Sequence, residues 1–303
     1  MPAEPFAEFQ QRFHDLVAAA ANASAHAGFL ARFDALHDEL CARVRADADA
    51  ALTALIYDAG QERPHYSARH ALLCAALAGL AADQLEWPAD WRGALTRAAL
   101  SMNLASVAEQ DHHASHPVRL SEGQRDAIAD HGVRAAELLE RCGVRDALWL
   151  ETVCLHHDAE PGPLEGRSPS HQLARLLQRI DVFCARLAPR ASRRAQSGAA
   201  ATRAIYLDET MKPDAAGAVL VKIVGLYPPG TLVRLANGEL GLVCRRGARA
   251  MAPGVAALAG ADAKAYAEPQ LRQVGQGALS VAASLAPHEV KQAIALERVL
   301  ELC

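Results

Sequence analysis

The sequence predicts a mainly α-helical protein: a helical bundle preceded by further helices and followed by a small β-hairpin appendage. Three observations carry this. Apolar residues recur at i, i+3 and i+4 through most of the first two thirds of the chain. The composition is 51% hydrophobic but only 5% aromatic, with alanine-rich runs such as Ala71–Ala82, so helices can pack closely through small side chains. Beyond Arg203 the pattern changes to short alternating apolar runs punctuated by Pro and Gly.

A chain of 303 residues can bury a large core, as one big domain or two moderate ones. Breaks in the pattern suggest an N-terminal helical region (1–62), a helical core (63–225) and a C-terminal hairpin with a closing helix (226–303). A formal net charge of −4 and a pI near 6.3 give no general basic field for DNA, RNA or a membrane surface. The seven cysteines, at 41, 74, 142, 154, 184, 244 and 303, form no Cys-x-x-Cys pair and read as reduced core residues of a cytoplasmic protein. The opening Met1-Pro-Ala-Glu-Pro-Phe lacks the basic and apolar parts of a signal peptide. No apolar run has the length needed to span a bilayer.

From Phe6 to Asp58 the period is helical, and His14, His26 and His37 are expected to be surface or satisfied core residues. Pro64 marks a boundary. Ser67 is expected to cap the next helix, with His70 in its first turn. After Trp87-Pro88 another helix runs from Asp90 to Leu104 and includes Met102 and Asn103. Glu109 to Pro117, with Asp111, His112, His113 and His116, reads as a solvated loop because no periodic segment fixes it. Ser121-Glu-Gly-Gln124 forms a capping box for the helix that delivers His131. Asp146 starts a helix with a buried stripe of Trp149, Leu150 and Val153, ending at His156-His157 before the Pro161-Gly162 turn. His171–Leu187 is a long helix with Leu173, Leu176, Leu177 and Ile180 inward and Asp181 on an adjoining face. Tyr227-Pro-Pro-Gly230 is a stiff turn into Thr231–Leu235 and Glu239–Cys244, two alternating runs joined through Asn237-Gly238, a strong hairpin signal. Pro287 to Leu302 is expected as a closing helix.

The chemistry centres on the adjacent His156 and His157. Successive helix residues diverge by about 100°, so neighbouring imidazoles at a helix end can approach one metal from different directions. The same pair also suits a solvated helix C-terminus through the helix dipole. His70, His131 and Asp181, supplied from separate helical segments, shift the balance toward a metal site inside a bundle. A histidine and carboxylate set without thiolates suits iron, manganese or zinc acting on water and a phosphate ester. There is no Gly-x-Ser-x-Gly elbow and no phosphate loop.

Between about Tyr66 and Gly247 the chain resembles the HD-GYP family, the cyclic di-GMP phosphodiesterase branch of the HD superfamily. Tyr66-Ser-Ala-Arg-His70 is similar to the family's first metal-ligand helix. His131 stands where the family has the His of its His-Pro motif, after the similar Leu120-Ser-Glu-Gly-Gln-Arg. His156-His157-Asp158 matches its His-His-Glu, and Arg175 to Ala185 matches the helix bearing its late ligand, here Asp181. Leu226 to Glu239 is similar to its C-terminal segment. The resemblance implies an HD-type bundle, a divalent metal, a cyclic dinucleotide or other phosphodiester ligand, and a protein partner in signalling.

The departures are chemical. Met102-Asn103 replaces the family's His-Asp pair, so the bridging carboxylate has become an amide and its neighbour a thioether, a poor ligand for hard metals. Ser106 replaces its lysine. Pro161 to Gly166 replaces its Gly-Tyr-Pro loop and retains only Gly162. What the resemblance leaves is a three-imidazole set, His131, His156 and His157, for one divalent ion, and a reduced second set, His70 and Asp181. Two functions fit: a degenerate binding and regulatory module of cyclic-dinucleotide signalling, impaired as a phosphodiesterase, or a phosphohydrolase working with a single three-histidine metal site.

Overall fold

The computed structural model describes residues 6–62, 64–117, 130–157, 160–249 and 251–303, and it is mostly helical with a small C-terminal antiparallel sheet. The Ser121–Gln124 capping box, the Leu120 to Arg125 motif and Asp158 lie outside the described residues.

Three helices open the chain: α1 (Phe6–Ala19), α2 (Phe29–Ala46) and α3 (Ala48–Ala59). Phe9, Phe13, Leu16 and Val17 recur at helical spacing and put one face of α1 into the core. Phe29 and Phe33 do the same for α2, and Phe33 stacks on Trp149 at 5.3 Å. Asp47 caps α3, its carboxylate accepting the Ala50 N–H at 2.9 Å.

The alanine-rich run becomes α4 (Tyr66–Gln84), which is buried over most of its length and packs along α5 (Ala89–Ser101). Ser67 is not its cap. The preceding His65 takes a left-handed conformation at φ 61°, and the Ser67 N–H is received at 2.7 Å by Asp111 from another element. α5 ends at Ser101, short of the expected Leu104, and Leu104–Ser106 forms a 3₁₀ turn.

The stretch expected as a solvated loop is instead α6 (Val107–Ser115). Asp111 is drawn inward to cap α4, and His112 and His116 stack outside at 4.5 Å. Next come α7 (His131–Arg141), α8 (Ala147–Leu155) and α9 (Pro169–Leu187). Asp146 caps α8 by accepting the Trp149 N–H. Trp149 and Val153 are buried while Leu150 is only partly so. Leu173, Leu176, Leu177 and Ile180 of α9 are fully buried.

α10 (Gly198–Tyr206) and α11 (Ala215–Val224) finish the helical part. One continuous apolar cluster runs from Phe9 of α1 to Val224 of α11. On its flank the fully buried Arg175 of α9 pairs with Asp214, the cap of α11, and with Glu209.

The C-terminal part exceeds the expected hairpin. β1 (Leu232–Leu235) and β2 (Leu240–Arg245) pair antiparallel with Val233 opposite Gly241, turning through Asn237 and Gly238, whose φ is 89°. β3 (Gly254–Ala259), β4 (Ala265–Gln273) and β5 (Val281–Leu285) extend them into a five-stranded sheet in the order β4-β3-β2-β1-β5. The expected closing helix reduces to a 3₁₀ turn at Pro287–Glu289 and a short α12 (Leu296–Leu300). The sheet sits on α3. Gly230, at φ 82°, passes so close that an added Cβ would lie 2.6 Å from the Thr53 carbonyl, and Arg246 pairs with Asp49 beside it. All seven cysteines are unpaired. Among the described residues no helix is long and apolar enough to cross a membrane.

Candidate metal centre

His131 opens α7 and His156 and His157 follow the last turn of α8, and the fold brings these three together. The His131 and His156 Nε2 atoms are 3.1 Å apart, and ring centroids lie 4.8 Å apart for His131 and His157 and 4.1 Å for His156 and His157. One ligand-capable nitrogen from each falls within 4.8 Å of the others.

The close approach of α7 and α8 depends on Gly132. A Cβ there would meet the Val153 carbonyl at 2.9 Å and the Cys154 carbonyl at 3.2 Å. That Val153 carbonyl also accepts the His156 Nδ1–H at 2.7 Å. With the proton fixed on Nδ1, Nε2 presents a lone pair to the centre, the usual way a ligating imidazole is oriented. Burial, reinforced by the neighbouring His157, pushes the His156 pKa down to about 3, so the ring is held neutral. His157 is exposed and gives the group an opening to solvent, and its own carbonyl is held by the Gln178 amide of α9 at 3.1 Å.

His70 and Asp181 form a separate, adjoining group. The His70 Nε2–H donates to Asp181 Oδ1 at 2.7 Å, and Cys74 Sγ lies 3.4 Å from the same nitrogen. Burial disfavours both charged forms, yet the contacts win: Cys74 and then Asp181 lift His70 above its ordinary value, and His70 holds the Asp181 carboxyl well below the usual carboxylate range. Asp181 also feels His157 and His156, which sets the two groups side by side. The five residues therefore divide into a three-imidazole group and the His70–Asp181 pair, which with Cys74 makes a second set whose ligand-capable atoms lie within 4.8 Å of one another. Met102 and Asn103 are both buried, beside the 3₁₀ turn that follows α5. Their side chains are a thioether and a neutral amide, neither of them a strong ligand for a hard divalent ion.

The loop after the histidine pair is built around Arg167, whose guanidinium donates to the carbonyls of Glu160, Pro161 and Pro163. Leu164 of the same loop is buried.

A cavity of about 750 Å³ opens beside the His70 end, lined among others by Tyr66, Arg69, Arg190, Arg193 and Arg194. Tyr66 joins it to the ion pair. Its ring stacks on His70 at 5.6 Å, its outer face carries the Arg190 guanidinium at 4.5 Å, and its hydroxyl accepts from Arg190 at 2.6 Å. Burial and the neighbouring Arg190 lower the Arg193 pKa. Sequence reading missed this basic wall. The available signal was the run Arg190-Ala-Ser-Arg193-Arg194 directly after the helix that carries Asp181.

A third group also escaped that reading. His14, expected to be a surface or satisfied residue, instead meets His65 and Asp111. His26 and His37 do find ordinary partners, the Ala20 carbonyl and the Thr96 hydroxyl.

Among proteins of known function, a cyclic di-GMP phosphodiesterase of Pseudomonas aeruginosa is 28% identical to this chain over 221 residues. The alignment covers 71% of the chain and 52% of that relative, so the chain spans about half the length of the curated protein it matches. No family model matches the chain, and no solved structure matches it significantly.

Proposed function

We propose that this chain is a degenerate HD-GYP-like module of bacterial cyclic-dinucleotide signalling, which binds its ligand and regulates a partner but is impaired as a phosphodiesterase. The similarity to a cyclic di-GMP phosphodiesterase and the motif resemblance support the signalling role. The observation that carries the impairment is the residue at the bridging position. The residue that the resemblance places between the two sets is the neutral Asn103 instead of a carboxylate. A neutral amide does not offset two divalent cations as a carboxylate does.

The three-histidine group fits a single divalent ion of the iron, manganese or zinc type. Its imidazoles converge, His156 is neutral and oriented, and Gly132 leaves the room. An ion held there would acidify a bound water and polarise a phosphoryl oxygen. The chain's own contribution is to fix the imidazoles and to offer the arginine-lined cavity to an anionic phosphodiester. Ser106 in place of a lysine and the loop closed over Arg167 leave little to orient a phosphodiester against that water. Misplacement by about an ångström alone costs roughly 100-fold in rate.

The test combines metal analysis of the purified chain with binding and turnover of cyclic di-GMP. We expect measurable binding and no more than trace hydrolysis. Arg190→Ala should weaken binding by about tenfold or more, through loss of charge-assisted hydrogen bonds. The double change Met102→His with Asn103→Asp should not restore hydrolysis. A second reading, a phosphohydrolase using one metal, is favoured by the convergence of the three imidazoles itself. Robust turnover by the unmodified chain, abolished in His131→Ala, would establish it and overturn the regulatory reading.

A further inference from the structure

The three residues left over from the candidate centre lie on sequence-distant elements: His14 on α1, His65 in the turn before α4, and Asp111 on α6. We propose that His14, His65 and Asp111 form a distinct metal site, for a divalent transition ion such as zinc, that clasps α1 to the helical bundle. This goes beyond the cyclic-dinucleotide reading and does not depend on it.

One ligand-capable atom from each residue lies within 4.8 Å of the others, and the two imidazole centroids are only 3.7 Å apart. His14 Nδ1 stands 3.8 Å from Asp111 Oδ2, too far for a hydrogen bond. That nitrogen is buried and has no hydrogen-bond partner among the described residues. Three polar groups thus converge without satisfying one another. With metal–ligand bonds near 2.0–2.1 Å, tetrahedral ligand atoms stand roughly 3.4 Å apart, so small adjustments would seat an ion between them.

The supports are built in. The other oxygen of Asp111 accepts the Ser67 N–H at 2.7 Å, which fixes the carboxylate and turns Oδ2 toward His14. His65 holds a left-handed backbone at φ 61°, uncommon for a residue other than glycine, and this places its ring against His14. All three residues are part-buried, so the group is sheltered but open enough for water to complete the coordination. Two imidazoles and one carboxylate with an open fourth position suit zinc and leave calcium and magnesium poorly served.

The experiment uses the full chain, stripped of metal, with His156→Gln and His157→Gln introduced to silence the three-histidine group. Isothermal titration with zinc should show one equivalent bound. Adding His14→Gln should weaken that equivalent by about 100-fold or more, above the usual effect of losing a mere supporting group. Zinc should also slow hydrogen exchange in α1 of the parent but not of the His14→Gln protein. Circular dichroism of the metal-free forms establishes that the variant is folded. If His14→Gln does not fold, Asp111→Asn replaces it, since the amide oxygen can still cap Ser67. Zinc binding that is absent from the parent, or unchanged by removing His14 or Asp111, overturns the proposal. A wild-type chain that loses its only zinc with His156→Gln would do the same while leaving the three-histidine reading intact.

Discussion

A single methyl group at position 132 tests how tightly the three imidazoles are held. Gly132→Ala places a carbon 2.9 Å from the Val153 carbonyl and 3.3 Å from the His156 ring, so α7 must move off α8. We expect a loss of about 1–3 kcal/mol in denaturant unfolding, typical of overpacking, together with weaker metal binding in calorimetry. His156 itself gives a pH signature. Its folded pKa, near 3, lies below the ordinary histidine value near 6.5, so the unfolded chain binds the extra proton between those limits. Its contribution to metal-free stability is therefore full above about pH 6.5 and is lost as pH falls toward 3, at up to about 1.4 kcal/mol per pH unit. His156→Gln should flatten that part of the stability profile. At this scale the sequence was readable where candidate ligands are neighbours, as with His156 and His157. It was silent on His14 and Asp111, because tertiary packing alone brings those distant positions together.

Elements were legible where local chemistry writes their ends. Asp47 and Asp146 cap α3 and α8 through their carboxylates, and Asn237-Gly238 turns the hairpin. They were illegible where local signals mislead. α6 is rich in His and Asp and looked like a loop, yet one of those acids is spent on capping α4. β3, Gly254-Val-Ala-Ala-Leu-Ala259, carries alanines that favour a helix, and it is the neighbouring strands β2 and β4 that make it extended. The hairpin is closed by Glu239, a buried carboxylate that accepts from Arg272, Tyr266 and the Asn237 amide. Arg272 first of all lowers its pKa to about 2. A depressed carboxylate stabilises the fold fully above its unfolded value near 4.3, and that stability is lost as pH falls through about 2. Glu239→Gln should cost about 2 kcal/mol near neutral pH and remove this acid-labile step, as thermal unfolding between pH 2 and 7 will show.

At the scale of the whole molecule, the sheet and the helices meet across α3. Gly230 passes over the Thr53 carbonyl with a left-handed backbone that a side chain would strain, while Arg246 pairs with Asp49 alongside. Gly230→Ala is expected to destabilise the protein by more than about 1 kcal/mol, through both the contact and the backbone, and to raise hydrogen exchange in β1 and β2 ahead of α4. The helical class and the position of the sheet followed from periodicity and turn residues. The docking of one on the other did not, since it rests on a backbone approach that no pattern of apolar residues encodes. The Arg190–Tyr66–His70 stack crosses the molecule in another sense. An anion that draws the Arg190 guanidinium from the tyrosine face changes what His70 leans on, and His70 pairs with the Asp181 that senses His156 and His157. If the proposed anion and metal both bind, linkage makes any effect of the anion on metal affinity equal to the effect of the metal on anion affinity, so a coupled pair would each report the other's concentration.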